Sequence, residues 1–197
     1  ITGGAMGWSS SPAVTAAASL FDPTSSTFSP VPSMSTPRMG HTATLLSGGT
    51  KVFVFGGKAS SSGTPLSTGE IFDSATNTWT SVSTTGAPTA RWRHVSVLRA
   101  DGKVLVIGGD DGTNTGLTSC YIYDPALDSW AAAGALSTGR FNHDGGLLTT
   151  NSKIVVAGGE SLGAVIISAE LYDPGANTWS AAGNLAVART GLKAVVT

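Results

Sequence analysis

Arginine and histidine recur at a fixed spacing in this chain of 197 residues. Arginines stand at equivalent points of four successive segments, at Arg38, Arg91, Arg140 and Arg189. The position three residues after each arginine is occupied in turn by His41, His94, His143 and Leu192. A guanidinium offers a planar fork of donors that suits carboxylates, and three converging imidazoles would suit a metal ion. Because the apolar Leu192 shares the histidine position, we expect packing there and no metal site.

Other residue types keep the same order, and they indicate what positions these side chains. Gly-Gly pairs begin at Gly3, Gly56, Gly108 and Gly158. An aromatic residue and an aspartate follow each pair, at Phe21-Asp22, Phe72-Asp73, Tyr123-Asp124 and Tyr172-Asp173. Six residues after each aspartate stands another aromatic, at Phe28, Trp79, Trp130 and Trp179. A repeat of about fifty residues with this content predicts a radial array of small sheets.

Each unit has the pattern of four short strands. In the second unit we predict strands over 38–47, 51–57 and 69–72, and Trp79 opens a fourth. Gly48-Gly49 is a hairpin signal, and Asp73 begins the turn before the last strand. We find no pattern typical of an amphipathic helix. Because such sheets are apolar on both faces, they must stack on one another, with the recurring aromatic packed between outer strands.

The Gly-Gly pair, the aromatic-Asp step, the Asn-Thr-Trp runs at Asn77 and Asn177 and the Arg-x-x-His step together resemble the kelch repeat. The resemblance covers essentially the whole chain. It implies an all-β kelch-type β-propeller with about four four-stranded antiparallel blades. Complete blades are expected at 35–86, 87–135 and 136–184, and a divided blade would combine 1–34 with 185–197. Either the terminal strands close a ring of four, or the chain is part of a larger propeller; the missing first half of a strand near Ile1 favours the second alternative.

The resemblance also implies where a ligand would bind. The first strand of a propeller blade is innermost, so the recurring arginines would surround a central channel. In kelch proteins that bind acidic peptides, arginines at this position help to capture carboxylates. The residues after the Gly-Gly pairs would lie at the channel mouth, and Trp92 with its flanking arginines combines stacking with charge. The candidate ligand-binding residues are Arg38, Arg91, Trp92, Arg93, Arg140, Arg189, Lys58, Asp110 and Glu160.

Each of these candidates also has a structural interpretation. The recurring arginines could instead bond backbone carbonyls or an acidic residue of the next blade. The residues after the Gly-Gly pairs could belong to solvated loops.

Composition and charge exclude several classes of function. Charged residues make up 12% of the chain and the net charge is −1, which gives no electrostatic footprint for nucleic acid or an anionic membrane. No apolar run is long enough to span a bilayer. The single cysteine, Cys120, permits no internal disulfide. Low charge with abundant Ser and Thr favours a secreted or cell-surface protein, although no Asn-x-Ser/Thr site supports it.

We find no catalytic constellation in the sequence, and we expect no cofactor. The main hypothesis is a non-catalytic kelch-repeat module that binds a protein segment or a glycan at a propeller face. A second hypothesis is a structural subunit of an extracellular or surface assembly, whose open end would favour self-association or contact with the remainder of a larger propeller. A third is a fragment of an enzyme, since kelch-like propellers occur in copper-radical oxidases and sialic-acid epimerases.

Overall fold

The chain forms a series of antiparallel sheets in the computed structural model, which describes residues 2–6 and 12–195. The first sheet has strands β1 (Thr2–Met6), β2 (Ala13–Asp22) and β3 (Thr27–Val31). The second has β4 (Thr42–Leu45), β5 (Lys51–Phe55), β6 (Gly69–Asp73) and β7 (Thr78–Ser81). The third has β8 (Val95–Leu98), β9 (Val104–Ile107), β10 (Cys120–Asp124) and β11 (Ser129–Ala133).

The fourth sheet begins with β12 (Asp144–Leu147) and β13 (Ile154–Ala157). After a short hairpin of β14 (Glu160–Ser161) and β15 (Ala164–Val165), it is completed by β16 (Ser168–Asp173) and β17 (Thr178–Asn184). The described residues contain no helix. The predicted all-β fold of four-stranded antiparallel blades is confirmed.

The first two strands of the second sheet are shorter than the segments that predicted them, whereas the third is one residue longer. In the second sheet, β4 begins at Thr42 and not at Arg38, and β5 ends at Phe55. Gly56 and Gly57 lie outside the strand because their φ angles of 66° and 90° are left-handed, a conformation that glycine adopts without a steric penalty.

The two ends of the chain lie at different sheets. Residues 185–195 contain no strand and lie against the fourth sheet. There the Gly159 N–H donates to the Arg189 carbonyl at 2.7 Å, and the Ala194 N–H donates to Asp144 Oδ2 at 2.8 Å. The division of one blade between the two ends therefore stays a prediction.

The hydrophobic core lies between neighbouring sheets. Strand β9 is fully buried at all four positions, and alternate residues face opposite neighbours. Val104 and Val106 pack with Phe53 of β5, whereas Leu105 and Ile107 pack with the fourth sheet. Because the side chains of a strand alternate between its faces, a strand between two sheets must be apolar throughout.

The recurring tryptophan hydrogen-bonds each sheet to the preceding one. The indole N–H groups of Trp79, Trp130 and Trp179 donate to the carbonyls of Pro32, Ser83 and Gly134, at 2.7, 2.9 and 2.9 Å. Phe28 holds the equivalent position in the first sheet. Its side chain has no N–H group to donate, and the residue is 58% exposed. The aromatic therefore contributes both buried area and a directed bond wherever a sheet precedes it.

The second glycine of each pair joins its sheet to the next repeat. The N–H groups of Gly4, Gly57, Gly109 and Gly159 donate to the carbonyls of Arg38, Arg91, Arg140 and Arg189, at 2.8, 2.9, 2.9 and 2.7 Å. The first glycine approaches the same carbonyl, since a Cβ atom on Gly56 would lie only 2.5 Å from the Arg91 oxygen. We call this contact the Gly-Arg junction. The junction needs glycine because the backbone angle there is left-handed and because a side chain would prevent the close approach to the carbonyl.

Two alanine substitutions test this junction. Gly48 and Gly56 both have left-handed φ angles, but a Cβ atom on Gly48 would meet nothing within 4 Å. We expect Gly48→Ala to lower the free energy of unfolding by about 1–2 kcal/mol, from backbone strain alone. We expect Gly56→Ala to lower it by about 4 kcal/mol or more, because strain and steric clash add. Urea denaturation measures both, and similar losses would contradict the role of the close approach.

Candidate functional site

The recurring arginines are buried inside their own sheets. Arg38, Arg91 and Arg140 are each 0% exposed. The Nη1 of each donates to a carbonyl of the Gly-Gly pair, at Gly56, Gly108 and Gly158, over 2.9, 2.8 and 3.0 Å. It also donates to a carbonyl at the start of the strand that follows the Gly-Gly pair in each sheet, at Thr68, Ser119 and Ser168. These three guanidinium groups therefore bond backbone carbonyls, the alternative given above, and we do not place them on the binding surface.

Two of these arginines have a carboxylate partner and one does not. Arg38 pairs with Glu70 at 3.2 Å, and Arg140 pairs with Glu170 at 2.9 Å. Tyr121 holds the equivalent position beside Arg91, with its ring centroid 5.2 Å from the guanidinium carbon. With no carboxylate beside it, burial lowers the pKa of Arg91 to about 10, although the group stays charged at neutral pH.

A second hydrogen-bond donor, a backbone N–H group, explains why two of the three sheets have a glutamate beside the buried arginine. Glu70 also accepts the N–H of Ser35 at 2.7 Å, and Glu170 accepts that of Ser137 at 2.7 Å. Both serines stand three residues before the arginine of their repeat, where the third sheet has Pro88. Because proline has no N–H group to satisfy, Tyr121 can replace the acid there.

We expect the buried pairs to stabilise the fold far more than the exposed ones. Arg140→Met leaves Glu170 buried and unpaired, so the free energy of unfolding should fall by about 3–5 kcal/mol. Lys153→Gln, which removes the exposed pair with Asp173, should change it by at most about 1 kcal/mol. Equal effects in chemical denaturation would contradict this assignment.

The residue two positions after each arginine has a left-handed backbone. Gly40, Arg93, Asn142 and Gly191 have φ angles of 62°, 54°, 53° and 62°. A chain of backbone bonds connects them across the repeats: Arg93 N–H donates to Gly40, Asn142 to Arg93 and Gly191 to Asn142, at 2.8, 3.0 and 2.9 Å. Glycine holds two of these positions, and the other two carry side chains at a cost of about 1–3 kcal/mol in strain.

Trp92 is the centre of a cluster of charged side chains. Lys58 Nζ lies 4.0 Å from its ring centroid and the Arg93 guanidinium carbon lies 3.6 Å from it. Its indole N–H donates to Asp110 Oδ2 at 2.8 Å. Within the described residues, the Arg93 guanidinium makes no hydrogen bond or ion pair. Arg93 therefore has donors to offer a ligand.

Asp110 and Glu160, the two acidic candidates, differ in burial and in their hydrogen-bond partners. Asp110 is 0% exposed, and its other oxygen accepts the N–H groups of Gly112 and Asn114, so it holds its loop. Glu160 is half-buried and accepts hydrogen bonds from Asn142 Nδ2 at 2.9 Å and from the Thr190 hydroxyl. These two bonds, with the charge of Arg93, lower the pKa of Glu160.

The structure thus gathers some of the predicted residues on one surface. Lys58, Trp92, Arg93, Asn142 and Glu160 form what we call the mouth surface, at the end of the sheets where the first strands begin. Asp110 is buried and accepts the hydrogen bond of the Trp92 indole, and Arg189 has an exposed side chain. Asn142 was not predicted. Its signal was a polar residue at the position where other repeats have glycine.

A cavity lies between the first strands β4, β8 and β12, where the channel was expected. Its outer part, about 200 Å³, is lined by Arg93, Asn142, Lys193 and the three histidines. Its inner part, about 260 Å³, adds Thr42, Ser96 and Asp144. Among the described residues, no group of His, Cys, Asp or Glu side chains is placed to hold a metal ion.

The histidines in this cavity are unequally satisfied. His94 Nε2 lies 2.9 Å from the Thr42 hydroxyl of the preceding repeat. For His143, the residue that corresponds to Thr42 is Val95, which has no hydroxyl group. Neither ring nitrogen of His143 has a partner in the described part of the chain. Burial lowers the pKa of His94 well below its ordinary value and that of His143 to about 3.

These lowered pKa values predict an acid-sensitive fold. Between pH 6.5 and pH 3 the unfolded chain binds a proton at His143 that the folded protein does not, so stability is complete above pH 6.5 and falls on acidification. Each such histidine contributes a slope of about 1.4 kcal/mol per pH unit. We expect His143→Leu to lower the measured slope by that amount, in urea titrations between about pH 5.5 and pH 4, where the unfolded histidine is almost fully protonated. An unchanged slope would contradict the burial of a neutral imidazole.

Comparison with known proteins gives a family match. The family model described as the KLHDC2/KLHL20/DRC7 Kelch-repeats domain matches residues 1–196. No curated protein matches the chain. Within residues 2–6 and 12–195, no helix is long and apolar enough to cross a membrane.

Proposed function

The chain belongs to the kelch-repeat family, and we propose that it is a non-catalytic interaction module that binds a protein segment at the mouth surface. This surface lies at the end of the blades where Arg93 and Asn142 project from the channel rim. The buried Arg38, Arg91 and Arg140 would hold the rim in place without contacting the segment.

The observation that carries this proposal is the strain at Arg93 and Asn142. Gly40 and Gly191 show that glycine fits the same backbone position in other repeats. Non-glycine residues in left-handed conformations concentrate at functional sites, where their side chains have a use that offsets the strain. Arg93 stacks on Trp92 but makes no hydrogen bond to the described residues, so its N–H donors support a role in binding a partner molecule.

The chemistry of the surface favours a protein over a glycan. Trp92 is only 8% exposed, and Lys58 and Arg93 lie against its ring. A sugar would need an open aromatic face on which to stack. An extended protein segment instead needs donors and acceptors for its backbone and side chains, which Arg93, Lys58, Asn142 and Glu160 provide.

A close hydroxyl-imidazole pair in the cavity lacks the third group of a catalytic arrangement. Thr42 Oγ1 lies 2.9 Å from His94 Nε2, as a nucleophile and its base would. The other ring nitrogen, Nδ1, has no partner among the described residues, whereas a catalytic base is oriented by a third group.

The test is selection from a library of displayed peptides, followed by affinity measurement. The double variant Arg93→Gly, Asn142→Gly removes both side chains and places glycine where the fold already accepts it. We expect selected peptides to bind this variant at least about tenfold more weakly, because hydrogen bonds to charged groups are lost. Its free energy of unfolding should not fall below that of the wild type, because glycine relieves the strain at both positions and this offsets the greater backbone entropy of the unfolded chain.

Ser152→Gly provides a matched control. Ser152 also has a left-handed backbone, with φ 58°, but it lies in the turn between β12 and β13, at the opposite end of the blade. This control should bind like the wild type. Equal binding by the double variant, or a selection that recovers no peptide, would overturn the proposal.

A further inference from the structure

The hairpin of β14 and β15 carries a leucine in a strained turn. Leu162 and Gly163 join the two strands, and their φ angles of 50° and 79° are both left-handed. This is the pattern of a type I′ turn, in which Asn, Asp or Gly is the usual first residue. The other non-glycine residues with left-handed φ angles in the described part of the chain are Ser, Asn, Asp and Arg93. Leu162 is strained there because its side chain has no polar atom to bond the backbone locally.

The same hairpin exposes apolar side chains. Leu162 is 79% exposed, and Val165 and Ile167 are 45% and 41% exposed. The second and third repeats have the polar residues Ser67 and Thr118 at the place of Ile167. Thr118 is exposed although the fourth sheet follows its own, so the exposure belongs to this position of the repeat. We call Leu162, Val165 and Ile167 the apolar edge.

The apolar edge continues the mouth surface. Glu160, which belongs to that surface, begins β14 and stands two residues before Leu162. Two residues of an extended chain span about 7 Å, so a segment seated on the mouth surface reaches Leu162 within two or three residues. The Leu162 N–H donates to the Thr115 carbonyl at 3.3 Å, which ties the turn to the loop of the preceding repeat. The edge is therefore held beside the mouth surface, and residues 161–168 include no charged side chain.

We propose that the apolar edge determines specificity, by selecting protein segments with an apolar side chain two or three residues from the part held by Arg93 and Asn142. A Leu, Ile, Met or Phe of the segment would cover Leu162, and removal of both side chains from water would strengthen binding. A leucine that is both strained and exposed lowers the stability of the free protein, and a partner that covers it gives the side chain a use. This inference rests on the proposed function, since the same segment occupies both surfaces.

A lipid bilayer is a poorer occupant of the apolar edge than a protein segment. Glu160 places a carboxylate at the base of the hairpin, where an inserted hairpin would bring it to the membrane surface. The net charge of −1 gives the chain no attraction to anionic lipids. A segment with polar and apolar residues in succession matches both parts of the surface.

Leu162→Asn separates binding from folding. Asparagine is favoured in a type I′ turn, so the urea midpoint of this variant should equal or exceed that of the wild type. Peptides selected from a displayed library on the wild-type protein should bind the variant at least about tenfold more weakly, because burial of a leucine side chain is lost. Val165→Thr, which removes one methyl group from the edge, should weaken binding about threefold.

Leu127→Asn is the matched control. Leu127 is 74% exposed and lies in the turn between β10 and β11, at the opposite end of its blade. Its replacement should change peptide affinity less than about twofold. The peptides complete a double-mutant cycle: serine in place of their apolar residue should weaken binding to the wild type about tenfold, and to Leu162→Asn less than about threefold.

The outcomes separate this inference from the proposed function. Peptides that need Arg93 and Asn142 but bind Leu162→Asn as tightly as the wild type would overturn the inference and leave the proposed function standing. Peptides that need Leu162 but bind the Arg93→Gly, Asn142→Gly variant unchanged would do the reverse. Self-association in light scattering, or binding to phosphatidylcholine vesicles, that Leu162→Asn abolishes would assign the edge to a second copy or to lipid and overturn the inference.

Discussion

The Gly-Arg junction is the contact on which the rest of this structure depends. It joins each Gly-Gly pair to the arginine carbonyl of the following repeat. At Arg38, Arg91 and Arg140 the same arginine also places its guanidinium in its own sheet. One residue therefore fixes two sheets, through its main chain and through its side chain. Because a bond between repeats and a bond within a repeat share that residue, the start of every first strand is held in a defined place.

This rigid rim makes it possible to vary the residues beside it. The backbone has the same left-handed conformation at Gly40, Arg93, Asn142 and Gly191, and hydrogen bonds connect these residues from repeat to repeat. Side chains appear at two of these positions without altering the path. Strain that would disrupt a mobile loop is tolerated here because the surrounding bonds over-determine the conformation. A repeated scaffold can thus carry a site that is not itself repeated.

The buried glutamates occur where two hydrogen-bond donors need an acceptor. A glutamate is present where both an arginine and a serine N–H need an acceptor, and a tyrosine replaces it where Pro88 removes the second donor. Within the described residues, the hydrogen bonds of Arg91 then go to carbonyls and hydroxyls only. A lone buried guanidinium is acceptable because backbone oxygens surround it, whereas a lone buried carboxylate would have far fewer donors.

The amino-acid sequence by itself determined the four-stranded pattern of the three complete sheets, the glycine pairs and the packing role of the tryptophans, because these features recur wherever the fold needs them. It did not predict the hairpin of β14 and β15, a separate two-stranded sheet that the described residues contain in one repeat only. Recurrence, however, cannot separate a residue that faces a ligand from one that faces its own sheet. Arg91 and Arg93 are two residues apart, and only the carbonyls of Gly108 and Ser119, folded around Arg91, decide that Arg91 is internal and Arg93 external. The tertiary structure likewise decided that Asn142 and Lys193 meet Arg93 at one cavity, since they come from different repeats and are brought together only by stacking of the sheets.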